Sequence, residues 1–428
     1  MTESISIVKK ISSCRSCESK SLTDILSLGE LFVSAFIDEG EQKNMGKYPL
    51  DLVLCNKSAG GCGLLQLKHT VPSEVLYRNY WYRSGTNKTM MEELRSIVLQ
   101  AKRLVPSLGP GDFVIDIGCN DGTLLRAYGD ERINRVGFEP SKNLAPVASF
   151  GATRVINDFF NFNAWKKEFS GKKAKIITAI AMFYDLDDPN VFVADVAKCL
   201  NDDGVFIIQM SYLPLMLSQN AFDNLVHEHL EYYSLASLEN LLTRHGLEAF
   251  DVETNDTNGG SFRIFIRHKG AGKTLKIAAG AGSRLAKMRA NEDVLGLDDR
   301  KIYDDFVGRV EQVKTQVRDF IKREVLSGKK IYVYGASTKG NTLLQFFDLK
   351  PPLVSAAAER SQYKWGKHTV GTLIPIISEE QARADKPDYF LILPWHFLEE
   401  FREREDDFLK NGGKFIVPLP QFRIVSSA

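Results

Sequence analysis

The sequence predicts an α/β protein: a mostly parallel, doubly wound core with a small metal-binding unit before it and a second α/β unit after it. Three observations carry this. Four of the six cysteines (Cys14, Cys17, Cys55 and Cys62) fall in the first 62 residues. The apolar run Phe113–Ile117 leads into Gly118-Cys119-Asn120-Asp121-Gly122. A second apolar run, Ile331–Tyr334, leads into Gly335-Ala336-Ser337-Thr338-Lys339-Gly340. At 428 residues the chain has length for about three domains of ~100–200 residues each. The expected division is a metal-binding domain over 1–70, a helical connector with aromatic residues over 71–105, the core over 106–270, a helical linker over 271–327 and the second α/β unit over 328–428.

Each element has its own signal. Thr89–Leu104 repeats apolar residues at helical spacing (Met90, Leu94, Ile97, Val98, Ala101) and is ended by Pro106 and Gly109-Pro110-Gly111. Strands are expected at Phe113–Ile117, Arg135–Glu139, Ile176–Ile180 and Gly204–Met210, alternating with helices. That rhythm implies right-handed crossovers. Ser237–His245 reads as a helix stopped by Gly246. Leu247–Glu253 and Ser261–His268 read as a terminal antiparallel hairpin. Ile302, Phe306, Val310, Val313, Val317, Phe320 and Ile321 mark a long amphipathic helix. Strands Tyr389–Leu393 and Phe415–Val417 continue the last unit.

Lys+Arg 55 against Asp+Glu 54 gives a net charge of +1, which argues against a nucleic-acid partner. With 44% hydrophobic and 25% charged residues, the composition is globular. No apolar run reaches the ~18–20 residues of a membrane span, and Met1-Thr2-Glu3-Ser4 opens no signal peptide. The cytosol is the expected compartment. There, paired cysteines point to metal more often than to disulfides. The oligomeric state is open; a monomer is compatible with the sequence.

The cysteines are spaced C-x2-C and C-x6-C. Zinc takes four soft ligands in a tetrahedron, and four thiolates leave no open position, so the expected role is structural. The alternative is four reduced, buried thiols. In the glycine loop, Gly118 lets a ligand approach the backbone, and Glu139 ends the next strand where an acid binds ribose hydroxyls. A nicotinamide site has a similar layout. The spacing here is G-x3-G (Gly118, Gly122), without the middle glycine that serves a pyrophosphate, and this favours S-adenosylmethionine (SAM). Asp116, Asn120, Asp158, Phe159 and Met182 complete the expected cofactor set, with packing as the plainer account of the last three. Asn224–Tyr233 holds His227-Glu228-His229. A neutral imidazole suits proton removal beside a ketone; a metal pair or a bonded loop are the other readings. Tyr80-Trp81-Tyr82 could pack in a core or close a site, and the Lys339-Gly340-Asn341 turn could hold a phosphate.

These residues resemble a known family, the three-domain sugar C-methyltransferases acting on nucleotide-linked 4-keto-6-deoxyhexoses. The resemblance runs through Cys14–Cys17, Leu28-Gly29, Tyr48-Pro49-Leu50, Cys62–Leu67, Asp116–Gly122, Phe222-Asp223, His227-Glu228-His229, Gly259-Gly260-Ser261, Tyr334–Ser337, Thr372–Pro375 and Leu393-Pro394-Trp395. It implies a class I SAM methyltransferase Rossmann-like core, a small N-terminal zinc-binding domain and a C-terminal Rossmann-like domain. It also implies SAM and structural Zn2+ as cofactors and a nucleotide-sugar substrate. His229 would be the base, with Glu228, Tyr82 and His227 as polar partners of an enolate. Tyr80, Tyr82, Asn224, Arg263, Lys339 and Asn341 would meet the substrate. Two departures stand out: Val226 precedes the HEH segment where a tyrosine is common, and C-x6-C replaces C-x2-C. A sugar O-methyltransferase, a methyltransferase with a second ketoreductase site and a silent sugar-nucleotide binder are the competing readings.

Overall fold

The computed structural model describes residues 8–77 and 80–427, so the Met1–Ser4 reading lies outside the described residues. At its centre is a seven-stranded sheet. Its strands are β1 (Phe113–Ile117), β2 (Asn134–Phe138), β3 (Arg154–Ile156), β4 (Ala174–Ile180), β5 (Leu200–Ser211), β6 (Leu247–Asn255) and β7 (Ser261–His268). The order is β6-β7-β5-β4-β1-β2-β3, parallel except for β7, which runs antiparallel to both β5 and β6. This is the class I methyltransferase arrangement, and the sequence-predicted hairpin supplies its antiparallel edge. Ile115, Ile117, Val136, Ile177 and Phe206 are buried in the sheet's core, consistent with strands covered on both faces.

The C-terminal sheet has β8 (Ile331–Tyr334), β9 (Ala356–Glu359), β10 (Ile376–Ser378), β11 (Tyr389–Ile392), β12 (Lys414–Val417) and β13 (Arg423–Val425). Its order is β10-β9-β8-β11-β12-β13, with only β13 antiparallel. The linker forms two helices, Ala281–Leu295 and Arg300–Leu326. The second buries Tyr303, Phe306, Val310, Val313, Val317 and Ile321 along one stripe.

The N-terminal segment is more regular than its turn-rich sequence suggests. Leu22–Phe32 and Lys47–Cys55 form a long antiparallel pair, joined by Leu65–Leu67. The fourth strand of that sheet is Glu231–Tyr232, from the stretch just after His229. Phe36–Ile37 in turn pairs with His368–Thr369 of the C-terminal unit. One hydrophobic core therefore runs from Leu26, Leu52 and Leu65 through Phe222 and Phe306 to Val333 and Leu343. Among the described residues, no helix is long and apolar enough to cross a membrane.

Candidate active site

Cys14 and Cys17 sit on a tight turn in which Glu18 donates its N–H to the Cys14 carbonyl (3.0 Å). Cys55 ends its strand, and Cys62 follows a short turn over Lys57–Ala59 capped by the Asn56 side chain. That turn takes up the long spacing. Gly61 is needed there, since a Cβ would stand 2.5 Å from Cys55 Sγ. The four Sγ atoms lie within 4.8 Å of one another, Cys14–Cys62 at 3.6 Å and Cys17–Cys55 at 3.5 Å. Thiolates around tetrahedral zinc at ~2.3 Å stand about 3.8 Å apart, so the set fits the metal as it stands. All four are free thiols. Gln66 Nε2 donates to Cys14 Sγ (3.2 Å) and the Cys62 N–H to Cys55 Sγ (3.3 Å), the supporting donors a thiolate cluster uses.

The cofactor loop follows from β1 and β2. Gly118 has φ 68°, and a Cβ there would meet Met182 Cγ at 3.1 Å. Glu139 accepts the N–H of Asn120 on Oε2 (2.7 Å) and that of Ser141 on Oε1 (2.8 Å), which fixes the carboxyl's orientation. Burial holds its pKa above the usual carboxylate range. Asp116 accepts from Thr178 Oγ1 (2.6 Å), and burial pushes its carboxyl up to about 7. Asp116, Gly118, Asn120, Glu139, Asp158, Phe159 and Met182 all line one cavity of about 850 Å³. Gly122 does not. Its φ of 79° and its approach to the Ala148 carbonyl, 2.8 Å from where a Cβ would lie, make it a turn and packing residue.

Tyr80, Tyr82, Glu228, His229 and Lys339 line the same cavity. Asn120 straps the aromatic segment to the cofactor loop: its Nδ2 donates to the Tyr82 carbonyl (3.0 Å) and its Oδ1 accepts from Ser84 N (3.0 Å). His229 Nδ1 is 2.9 Å from the Asn224 carbonyl. Nδ1 therefore carries the proton, and Nε2 keeps the lone pair. Burial first, then the charge of Lys339, pushes His229 down to about 3, against the Asn224 bond. Tyr184 packs on it at 4.2 Å between ring centroids. Glu228 is buried and its carboxyl is pushed up to about 7 by that burial. Lys339, reaching in from the C-terminal unit, donates to Asn224 Oδ1 (2.6 Å), and burial lowers its pKa.

The comparisons with known proteins divide the chain in the same way. Residues 14–77 match a family model described as "Putative zinc binding domain", 88–252 one described as "Methyltransferase domain" and 256–420 one described as "C-methyltransferase C-terminal domain". The C-methyltransferase NovU of Streptomyces niveus is 32% identical over 425 residues, 98% of each chain. This chain belongs to the C-methyltransferase family. It is a SAM-dependent methyltransferase whose N-terminal domain binds zinc. Among solved structures, the plantazolicin methyltransferase BpumL with SAH is 13% identical, covering 44% of this chain and 88% of its own, at TM-score 0.35. Magnesium protoporphyrin IX methyltransferase of Synechocystis PCC 6803 with SAH is 14% identical, covering 42% and 88%, at TM-score 0.33. Scores at that level add no weight to the assignment.

Several expected residues of the methyltransferase lie away from the cavity. His227 is buried with Nε2 3.0 Å from the Tyr48 carbonyl, so it ties the HEH segment to the N-terminal sheet. Arg263 is buried among Gln209, Gln100 and Glu93, where it clamps the helix Lys88–Leu104 to β5 and β7. Asn341 donates to the Ala35 carbonyl (2.6 Å), a bond between domains. Asn224 reaches the site through its two contacts with His229 and Lys339 and lines a small neighbouring space. Sequence reasoning missed Tyr77, whose hydroxyl donates to the Glu228 carbonyl (3.1 Å). Asp185, at the end of the Ala181–Asp185 segment expected to open onto methionine and substrate, and Asp223, which carries part of the resemblance, receive no role of their own from the sequence; both line the cavity, with Asp185 Oδ1 and Asp223 Oδ1 free of hydrogen-bond partners among the described residues. Their signals were present: Tyr77 precedes Tyr80 by three, and Asp185 follows the end of β4.

Proposed function

We propose that this enzyme transfers a methyl group to carbon, at C3 of a nucleotide-activated 4-keto-6-deoxyhexose, through an enolate formed by His229. The observation that carries the reading is the bond from His229 Nδ1 to the Asn224 carbonyl. It leaves Nε2 as an acceptor in a cavity shared by the cofactor loop and the C-terminal unit. A C3 hydrogen is acidified by the neighbouring ketone, and Nε2 takes it. The imidazolium so formed is disfavoured by burial and by the charge of Lys339; the enolate's negative charge beside it and the Asn224 carbonyl offset that cost. Glu228, whose proton burial retains up to about pH 7, donates in that form to the developing oxyanion, and Lys339 adds positive charge nearby. SAM supplies a methyl group on sulfonium, already electrophilic, so the chain's main task is alignment. Tyr80 and Tyr82 wall the sugar side. The reading carries with it a cytosolic enzyme with a small-molecule partner and no nucleic acid.

The test is product analysis. The protein is incubated with SAM and a panel of nucleotide-linked 4-keto-6-deoxy sugars, and the products are read by mass spectrometry and NMR. A new C–CH3 on the sugar ring supports the reading; a methoxy signal decides for O-methylation.

A further inference from the structure

His229 takes a proton at a cost that the groups named so far meet only in part. Burial and the charge of Lys339 push it down to about 3, a bias of ~10³-fold or more against the imidazolium relative to a free histidine. The Asn224 carbonyl accepts from Nδ1 but also from the Tyr232 hydroxyl (3.3 Å), so its lone pairs are divided between two donors. Glu228 and Asp185 line the same cavity, and burial raises the pKa of each, so neither is a dependable anion for an imidazolium.

Tyr184 meets the base from another side. It belongs to the short turn Phe183–Asp185 after β4, two residues beyond Met182, which packs on the cofactor loop at Gly118. Its ring centroid lies 4.2 Å from that of His229, with the ring planes at 52°. Aromatic rings meeting edge to face stand ~4.5–7 Å apart. At the shorter separation the imidazole lies against the face of the phenol ring, the side that carries negative charge. The contact is enclosed, since Tyr184 is 7% exposed and lines the cavity with His229. Its hydroxyl has no hydrogen-bond partner among the described residues, and burial holds the phenol well above its ordinary range. The ring therefore stays neutral across the working pH range.

Such a face attracts a cation more than a neutral imidazole. When the C3–H bond breaks, its electron pair passes into the enolate and its proton to Nε2, and His229 becomes a cation against that face. The added attraction arises as the proton moves, so it lowers the barrier and leaves substrate binding as it was.

We propose that Tyr184 is a positioning residue for the base, its ring face stabilising the protonated form of His229 that proton abstraction creates. This rests on the enolate reading above and adds to it a group that lets a buried imidazole take the proton. In a desolvated site such a contact is worth about 5- to 30-fold. It offsets part of the burial bias, and the enolate's charge offsets more.

The test is the single-turnover rate of methyl transfer in the full-length, zinc-loaded enzyme, with SAM and the nucleotide sugar accepted in the product analysis. The variants are Tyr184→Leu, Tyr184→Phe, and the same phenylalanine bearing one, two or three ring fluorines, which draw charge from the face while keeping the ring's shape. Tyr184→Leu is expected about 5- to 30-fold below Tyr184→Phe. The fluorinated rings should fall between them in order of fluorine count, with SAH affinity by calorimetry and the half-saturating sugar concentration held. A flat fluorine series, or Tyr184→Leu as fast as Tyr184→Phe, means that the ring only fills space and overturns the proposal. So does a loss confined to the half-saturating concentration. His229→Ala separates this proposal from the reading beneath it. If that variant is slow and the fluorine series is flat, the role of Tyr184 alone is removed. If it is as fast as wild type, or if no nucleotide sugar is accepted, the enolate reading goes and this proposal with it. Should Tyr184→Leu fail to fold, the fluorine series decides alone.

Discussion

Burial moves the two HEH side chains in the site in opposite directions: Glu228 up to about 7 and His229 down to about 3. Below about pH 7 the Glu228 carboxyl keeps its proton and can donate to an oxyanion; above it, a carboxylate would face that charge. We expect kcat/KM to fall as pH rises through about 7 and the fall to vanish in Glu228→Gln. His229 is neutral throughout that range and should add no acidic limb; a rate that instead climbs between pH 5.5 and 7.5 would show an imidazole titrating normally. His229→Ala is expected to lose turnover by ~10²–10⁴-fold, the usual range for a positioned base, with SAM affinity unchanged by calorimetry. Glu139→Ala should weaken SAM binding by ~1–3 kcal/mol. Residue type alone found the cavity members whose chemistry is exposed in a motif, such as Glu139 and His229. It could not separate His227 from His229, because what divides them is a partner, the Tyr48 carbonyl against the Asn224 carbonyl, set by long-range packing.

The strand Leu65–Leu67 joins the metal site to the reactive one. Gln66 donates from its side chain to Cys14 Sγ and pairs along its backbone with Glu231, two residues past His229. Gln66→Ala should weaken zinc retention by about 10- to 100-fold, as outer-shell changes do, read by competition with a chromogenic chelator. Wild-type protein should carry one zinc by elemental analysis, and Cys14→Ser should lose it together with folding yield. Elements with a clear period were legible: the helix Lys88–Leu104 starts one residue before its expected bound, and β1 and β8 coincide with theirs. The N-terminal sheet was not. Irregular pairing at Asp24/Leu26 and Ser27/Glu30 breaks the two-residue alternation of Leu22–Phe32, so no strand pattern survives in the letters.

Across the whole molecule, all three parts meet at one cavity, and their alignment depends on bonds between distant segments. Asn341 to Ala35, Gln345 to Phe32 and Ser34 to Thr338 bind the N-terminal segment to the C-terminal unit. Asn341→Ala should lower the thermal unfolding midpoint, a loss of ~1–3 kcal/mol for a buried hydrogen bond, while zinc content and SAM affinity stay as they were. If SAM affinity falls instead, Asn341 reaches the site in a way its contacts do not convey.

The borrowed strand Glu231–Tyr232 also sets an order of events during synthesis. The four thiols leave the ribosome early, but the sheet that frames them cannot close until residues 231 and 232 have been made. The Phe36–Ile37 ladder waits longer still, for His368 and Thr369. The N-terminal segment is thus completed only after residues 368 and 369 have been made. Cutting the chain after residue 70 would remove a module that was never self-contained, and exchange of that segment between relatives would have to carry residues 230–232 with it.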